Sequence, residues 1–364
     1  MERIVAIMAG GTGERFWPLS RRSLPKQLLR LNDPERTMLT ETIDRVSPVV
    51  GDENIYLCVA PHLVDLIAEN TPQIPADRIL CEPVRRDTAG GIAWLVANLL
   101  ARGYDPAQTS LAVLASDHRI APDAVFADTV RAAYTHAEET GDLVTMGIKP
   151  TRPATGYGYI ECDRASAPRV VQGQTVRNVV AFREKPALPQ AQEFLRSGRF
   201  LWNSGMFFWT LEALLRELAQ SSPSHHSAVL AIAELLSADR QADAVSAFSA
   251  LGSVSIDYAL MEKSDRVSVV EALFEWDDLG SWDSLARYRP LDENGNVSPE
   301  DAILEDTEEC VVYQAQVGQR VCMAGVQNLI VVVTADAILI SSKRNPDLVK
   351  RIVRRLHDEE SSLL

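Results

Sequence analysis

The run Ile4-Val5-Ala6-Ile7-Met8-Ala9-Gly10-Gly11-Thr12-Gly13-Glu14-Arg15-Phe16-Trp17-Pro18, followed by Pro25-Lys26-Gln27, decides how the rest of the chain is read. An apolar strand that empties into glycines exposes backbone N–H groups at its carboxyl end. Arg15 and Lys26 can converge on the same point, which is what a polyphosphate demands. Taken alone, the glycines also read as a tight turn after a strand. Two better-known phosphate loops do not fit. A P-loop needs four residues between its glycines and then Gly-Lys-Ser/Thr, whereas Gly11-Thr12-Gly13 runs into Glu14-Arg15. The dinucleotide fingerprint needs a third glycine where Phe16 stands, and Trp17-Pro18 interrupts any helix aimed at a pyrophosphate, so hydride transfer is disfavoured.

With 364 residues, 46% of them hydrophobic and 24% charged, the composition is that of a globular enzyme of one large domain, or one large and one small. No stretch is long and apolar enough to span a bilayer and the chain starts directly on a strand, so the expected location is cytoplasmic, with no membrane partner. Five cysteines without a Cys-x-x-Cys spacing read as reduced core residues. The net charge of -14 argues against nucleic acid as a partner. Locally the sign reverses: Met1 to Arg30 carries six basic residues against two acidic, or +4.

Outward from the glycines, helical and strand patterns alternate: a helix near Thr40 to Val46, a strand at Ile55 to Val59, a helix near Leu63 to Glu69, a strand at Arg78 to Cys81, a helix from Ala89 to Arg102 and a strand at Leu111 to Ala115. That order predicts an α/β domain with a doubly wound, mostly parallel sheet, whose ligands lie beyond the carboxyl ends of the strands. The strand-exit residues are therefore the ones to read: Ala9 to Arg15, Glu82-Pro83, and Ser116-Asp117-His118. Asp117, at the end of a wholly apolar strand, is placed to hold a divalent cation, because magnesium takes one or two carboxylates plus phosphate oxygens. A lone aspartate there also reads as an Asx turn. The second carboxylate comes from Glu275-Trp276-Asp277-Asp278-Leu279-Gly280, where period-two alternation favours Asp278 as ligand and Asp277 as its neighbour.

These residues, with further blocks in the same order, carry a resemblance. The blocks are Glu82-Pro83 with Arg86-Asp87-Thr88-Ala89, Gly156-Tyr157-Gly158-Tyr159, Phe182-Arg183-Glu184-Lys185-Pro186, Trp202-Asn203-Ser204-Gly205-Met206, and Ile256-Asp257-Tyr258-Ala259-Leu260-Met261-Glu262-Lys263. The chain resembles the sugar-1-phosphate nucleotidyltransferases, and its Trp17-Pro18-Leu19-Ser20-Arg21 portion looks like the mannose-1-phosphate guanylyltransferases. The resemblance implies a Rossmann-like nucleotidyltransferase fold with a mixed, mostly parallel sheet. It implies Mg²⁺ as cofactor, GTP and mannose 1-phosphate as substrates, and GDP-mannose and pyrophosphate as products.

The resemblance also implies roles. Ala9, Gly10, Gly11, Thr12 and Gly13 would cradle the triphosphate, with Arg15 on the departing phosphates and Lys26 bridging the reacting ones. Glu82, Pro83, Arg86, Asp87, Thr88 and Ala89 would line the guanine and ribose pocket, and many relatives have Asn where this chain has Asp87. Asp117 and Asp278 would hold the metal. Tyr157, Gly158, Glu184, Lys185 and Asn203 would form the sugar side. Glycines on alternate positions let a ring approach a strand, although a bulge in an edge strand is the competing reading of Gly156 and Gly158. Competing functions are transfer with another nucleoside triphosphate or hexose 1-phosphate, and an inactive relative that binds a nucleotide sugar and regulates a partner.

His225-His226 read as a cap, and Trp17 and Trp282 as aromatics that pack loops. After a catalytic domain over residues 1–290, residues 291–364 read as a small β-rich module ending in a helix. Leu348, Ile352 and Leu356, with Val349 and Val353 beside them, make that helix's apolar face. A docking helix is preferred there to a homodimer contact, and the resemblance implies a monofunctional chain.

Overall fold

The computed structural model describes every residue except Thr12, Gln316, Val317 and Pro346. Thr12, expected at the triphosphate, therefore lies outside the described residues. The chain divides into two compact units. The first comprises Met1–Gly10, Thr40–Ser116 and Ile120–Trp276, and the second Gly11–Leu39, Asp117–Arg119 and Asp277–Leu364.

In the first unit, strands β1 (Glu2–Met8), β2 (Ile55–Val59), β3 (Ile79–Cys81) and β4 (Thr109–Ala115) pair in parallel in the order β3-β2-β1-β4. Helices α1 (Met38–Val50), α2 (Val64–Asn70) and α3 (Asp87–Ala101) connect them. Ile4 to Ile7 are all fully buried, as expected of a parallel strand covered on both faces. The register sets Met8 level with both Cys58 and Ala115, and Val59 level with Cys81. Ala9, Glu82 and Ser116 consequently leave the sheet along one edge.

Beyond β5 (Arg119–Ala121) come α4 (Asp123–Thr140), β6 (Leu143–Ile148), β7 (Tyr159–Cys162), β8 (Arg169–Val171), β9 (Gln174–Arg183), α5 (Leu188–Ser197) and β10 (Phe200–Thr210). Then follow α6 (Leu211–Ser221), α7 (Pro223–Ser237), α8 (Gln241–Ser249), β11 (Val267–Glu271) and β12 (Glu275–Asp277). The sheet continues β4-β10-β6-β11-β9-β7, with β8 paired to β9. Strand β10 runs antiparallel to β4 and β6 and makes the expected α/β sheet mixed, while β11 returns parallel to β6. The β10–β6 ladder shifts register between Asn203 and Phe207, a bulge of the kind that re-aims a side chain, and Gly205 sits there at φ 69°. The core between the sheet and α3, α7 and α8 includes Trp94 and Phe248, with ring centroids 5.2 Å apart.

The second unit holds short helical turns at Glu14–Phe16, Lys26–Leu28 and Trp282–Arg287. Its β-rich part pairs β13 (Ile303–Glu305) with β15 (Cys322–Ala324), and β14 (Val311–Gln314) with β16 (Leu329–Val333), both in parallel. Strand β17 (Ile338–Ser342) runs antiparallel to β16, and α9 (Leu348–Asp358) closes the unit. Phe16 and Trp282 pack with centroids 5.0 Å apart, and Trp282 Nε1 donates to the Trp17 carbonyl at 3.0 Å, so both tryptophans belong to the core.

Helix α9 docks through Val349, Val353 and Leu356, an i, i+4, i+7 stripe, while Leu348 and Ile352 are each 37% exposed. The face is rotated from the expected one by about one position, with Val349 rather than Leu348 buried against the apolar cluster. All five cysteines are free thiols, and no helix among the described residues is long and apolar enough to cross a membrane.

Candidate active site

Three groups of expected residues are gathered, one in the second unit and two in the first. In the second unit, Gly13 has φ 64°, and a β-carbon there would meet the Lys26 Cβ at 2.3 Å. Only glycine satisfies both the left-handed backbone and that close approach, so it is Gly13 that brings the loop onto Lys26. Lys26 is nearly buried; its Nζ lies 2.8 Å from Asp117 Oδ2 and donates at 2.8 Å to the backbone carbonyl of Asp278. One ammonium thus joins the two aspartates that lie 161 residues apart in sequence. Burial pushes the Asp117 carboxyl up, but the Lys26 ammonium and His118 more than offset it, holding it below the usual range. Asp277 is buried; Arg287 NH2 donates to its Oδ1 at 2.8 Å and Leu279 N does so at 2.8 Å. Asp277 therefore shapes the turn. The Arg15 side chain is 41% exposed and pairs at 3.1 Å with Asp347, the residue just before α9.

In the first unit, Glu82, Arg86, Asp87 and Thr88 gather at the start of α3, while Ala9 and Gly10 lie beside the end of β2. Ala9 is fully buried and its N–H donates to the Cys58 carbonyl at 2.8 Å. Gly10 follows it, with Ala60 N 3.9 Å from where a β-carbon would stand, while Gly11, in the second unit, has open space there. Glu82 Oε1 accepts from Arg86 N at 3.1 Å, and burial raises the Glu82 carboxyl. The Arg86 guanidinium donates to the Ser249 carbonyl, Asp87 takes φ 59°, and its Oδ1 accepts from Thr88 N at 2.7 Å. Pro83 is half-buried beside them.

The sugar-side residues form the third group. A β-carbon on Gly158 would meet Glu184 Oε2 at 2.4 Å, so that glycine makes room for Glu184. Lys185 Nζ donates to Glu184 Oε1 at 2.6 Å, a bond that raises the Lys185 ammonium, and Lys185 takes φ 44°. Tyr157 packs edge-on against Trp202, with centroids 5.1 Å apart. Asn203 N donates to the Gly158 carbonyl at 2.8 Å and its Nδ2 donates to Asp257 at 2.7 Å. Left-handed backbone at Asp87, Lys185 and Leu279, none of them glycine, falls in all three groups, and such conformations persist where surroundings over-determine them. Asp257, Arg287 and Asp347 were not assigned from the sequence. Asp257 lies inside one of the ordered blocks, a signal that was present, whereas Arg287 and Asp347 have none.

The sequence itself matches two known families. Residues 4–295 match the Nucleotidyl transferase family, and residues 300–356 match the MannoseP isomerase/GMP-like beta-helix domain. The chain belongs to the nucleotidyl transferase family and is an enzyme of that class, as its resemblance implied. It is 39% identical over 362 residues to a mannose-1-phosphate guanylyltransferase of Klebsiella pneumoniae, covering 98% of this chain and 74% of that one. A mannose-1-phosphate guanylyltransferase of Escherichia coli is 38% identical over 97% of this chain and 74% of its own. A Thermus thermophilus crystal structure, described as a mannose-1-phosphate geranyltransferase, superposes with a TM-score of 0.85 at 35% identity, covering 98% of this chain and all of that one.

Proposed function

We propose that the chain transfers GMP from GTP to α-D-mannose 1-phosphate, giving GDP-mannose and pyrophosphate. A phosphate oxygen of the sugar phosphate attacks the α-phosphorus in line, a new P–O–P bond forms, and the α–β bridge breaks as pyrophosphate leaves with the bonding electrons. No general base is needed, because the sugar phosphate is already ionised at neutral pH. The observation that carries this reading is the Lys26 ammonium, 2.8 Å from both the Asp117 carboxylate and the Asp278 carbonyl. Two polyanions have to meet, so positioning and charge neutralisation are the protein's main task.

Each group of residues then takes a part. The backbone of Gly10, Gly11 and Gly13 holds the triphosphate, and Lys26 bridges the reacting phosphates. Arg15 holds the departing pyrophosphate and exchanges Asp347 for it. Glu82, Pro83, Arg86, Asp87, Thr88 and Ala89 shape the base and ribose site, while Tyr157, Gly158, Glu184, Lys185 and Asn203 take the hexose and its phosphate.

Two carboxylates fit Mg²⁺, which draws its other ligands from phosphates and water, and no group of three or more His, Cys, Asp or Glu suited to a metal occurs among the described residues. Asp117 and Asp278 would hold the ion, with Asp117 kept ionised for that purpose by Lys26. The metal, when bound, supplies neutralisation of the charge that builds at the α-phosphate.

Pyrophosphate release with mannose 1-phosphate across the four common nucleoside triphosphates tests the reading. Turnover with GTP alone is the expected result. Turnover with another triphosphate moves the chain to a different nucleotide, and none with any hexose 1-phosphate leaves a binding protein.

A further inference from the structure

Asp257 opens the single-turn π-helix Asp257–Met261, a helix form that recurs at functional sites. Its Oδ1 accepts from Asn203 Nδ2 at 2.7 Å. The other end of that amide is also engaged: Asn203 Oδ1 accepts from Gly205 N at 3.1 Å and from Thr145 Oγ1 at 3.3 Å. Asn203 is thereby locked in one orientation, and Asp257 is what fixes its donor end.

The same segment reaches the nucleotide side. Ile256 N donates to Thr88 Oγ1 at 2.8 Å, and Ala89 N donates to the Val254 carbonyl at 3.2 Å. Residues 254–257 therefore tie the start of α3 to the residues around Glu184 within one unit.

We propose that Asp257 is a specificity-determining residue of the hexose site: with Glu184 it forms a carboxylate pair that accepts hydrogen bonds from neighbouring hydroxyls of a hexose 1-phosphate, and through Asn203 it fixes which hydroxyl pattern is admitted. This rests on the nucleotidyl-transfer reading above. A polyol is the ligand the chemistry selects. Lys185 is the cation that acts on both carboxylates, one positive charge against two negative, so the carboxylates attract O–H donors while the ammonium is the group that meets the sugar phosphate, and each ionised carboxylate offers about four acceptor positions. Burial, then Glu184, raises the Asp257 carboxyl to about 6, against the opposing pull of Asn203 and Lys185. Ionised at neutral pH under that strain, it gains from a hydroxyl donor. A site built to pair with a hydroxyl rejects the epimer that leaves it unpaired.

The test is Asp257→Asn in the full chain, with steady-state kinetics for GTP, mannose 1-phosphate and glucose 1-phosphate. The KM for mannose 1-phosphate should rise about tenfold and the preference for it over glucose 1-phosphate should fall by a similar factor, with the KM for GTP within about twofold of wild type. Asp257→Ala should show the same split, and melting curves show that both variants are folded. Unchanged hexose KM and selectivity in folded variants overturn the inference, as does an equal loss toward GTP and hexose, the mark of a merely structural role. A wild type that prefers another hexose 1-phosphate defeats the mannose reading but leaves Asp257 to be judged on that sugar. A wild type that takes none defeats both.

Discussion

Asp117 in the second unit and Asp257 in the first are both carboxylates in partly buried surroundings, and their neighbours drive them in opposite directions. Asp117 has an ammonium at 2.8 Å and is held below the usual range, whereas Asp257 has a second carboxylate nearby and an amide for its bond, and is raised to about 6. Groups whose environments pull their titrations apart mark different tasks. A carboxylate fixed in its charged form by a lysine suits metal and phosphate, where charge must be constant. A carboxylate ionised with difficulty beside a second carboxylate suits hydroxyls, where the bond itself supplies the stabilisation.

The contrast is broken most severely at Lys26. Lys26→Met should lower turnover by about a thousandfold, since it removes the cation that pairs with Asp117 and bonds the Asp278 carbonyl. It should also cost about 2 kcal/mol of stability, less than a fully buried pair because the Asp117 side chain is 31% exposed. Single-turnover rates and a denaturant titration measure the two effects, and turnover within fivefold of wild type would remove this cluster from the reaction.

Asp278→Asn is the sharper probe. Lys26 contacts the backbone carbonyl of Asp278, which the substitution keeps, so the fold and nucleotide affinity should persist while turnover drops about a hundredfold. Normal activity in that variant would mean the metal lies elsewhere.

On the carboxylate-rich side the expected effect is smaller. Glu184→Gln retains the side chain that Gly158 accommodates but removes the charge paired with Lys185. The KM for mannose 1-phosphate should rise about tenfold with GTP unaffected, as expected of a lost hydroxyl acceptor. Equal losses for both substrates would exclude a sugar-side role.

How legible this was in the sequence follows from the range of each interaction. Strands β2 and β4 announce themselves as short apolar runs between turn residues, and the glycines after β1 announce a sharp loop, because those signals are local. Strand β10 is nearly all buried along 11 residues, so it has no period from which its antiparallel direction could be read. The alternating glycines at Gly156 and Gly158 point to approach by a sugar ring, or to a bulge. The approaching group at Gly158 is Glu184, 26 residues on, which spacing alone does not reveal. The pairing of Arg15 with Asp347 spans 332 positions and leaves no trace in either neighbourhood. Asp257 stands inside one of the ordered blocks, yet its bond to Asn203 exists only because β10 sets that residue beside it.

The gentlest test of the contrast is thermal, and it turns on sign. A carboxyl raised by folding favours the folded state while protonated: that contribution is whole below the unfolded value of about 3.9 and fades as pH climbs through about 6. A lowered carboxyl does the reverse, contributing above about 3.9 and fading as pH falls through its depressed folded value. Asp257→Asn, which cannot ionise, should therefore gain on wild type as pH rises from 5 to 8, by about 2 °C in Tm for each kcal/mol relieved. Asp117→Asn should instead melt below wild type at pH 7, with the gap narrowing in acid. Substituting one amide for one acid leaves the other titrating groups in place, so the difference between variant and wild type reports that group together with its coupling to its immediate charged neighbours. A Tm gap for Asp257→Asn that stays flat from pH 5 to 8 would show that Asp257 ionises as easily as a solvated aspartate, and the distinction between the two carboxylates would fall.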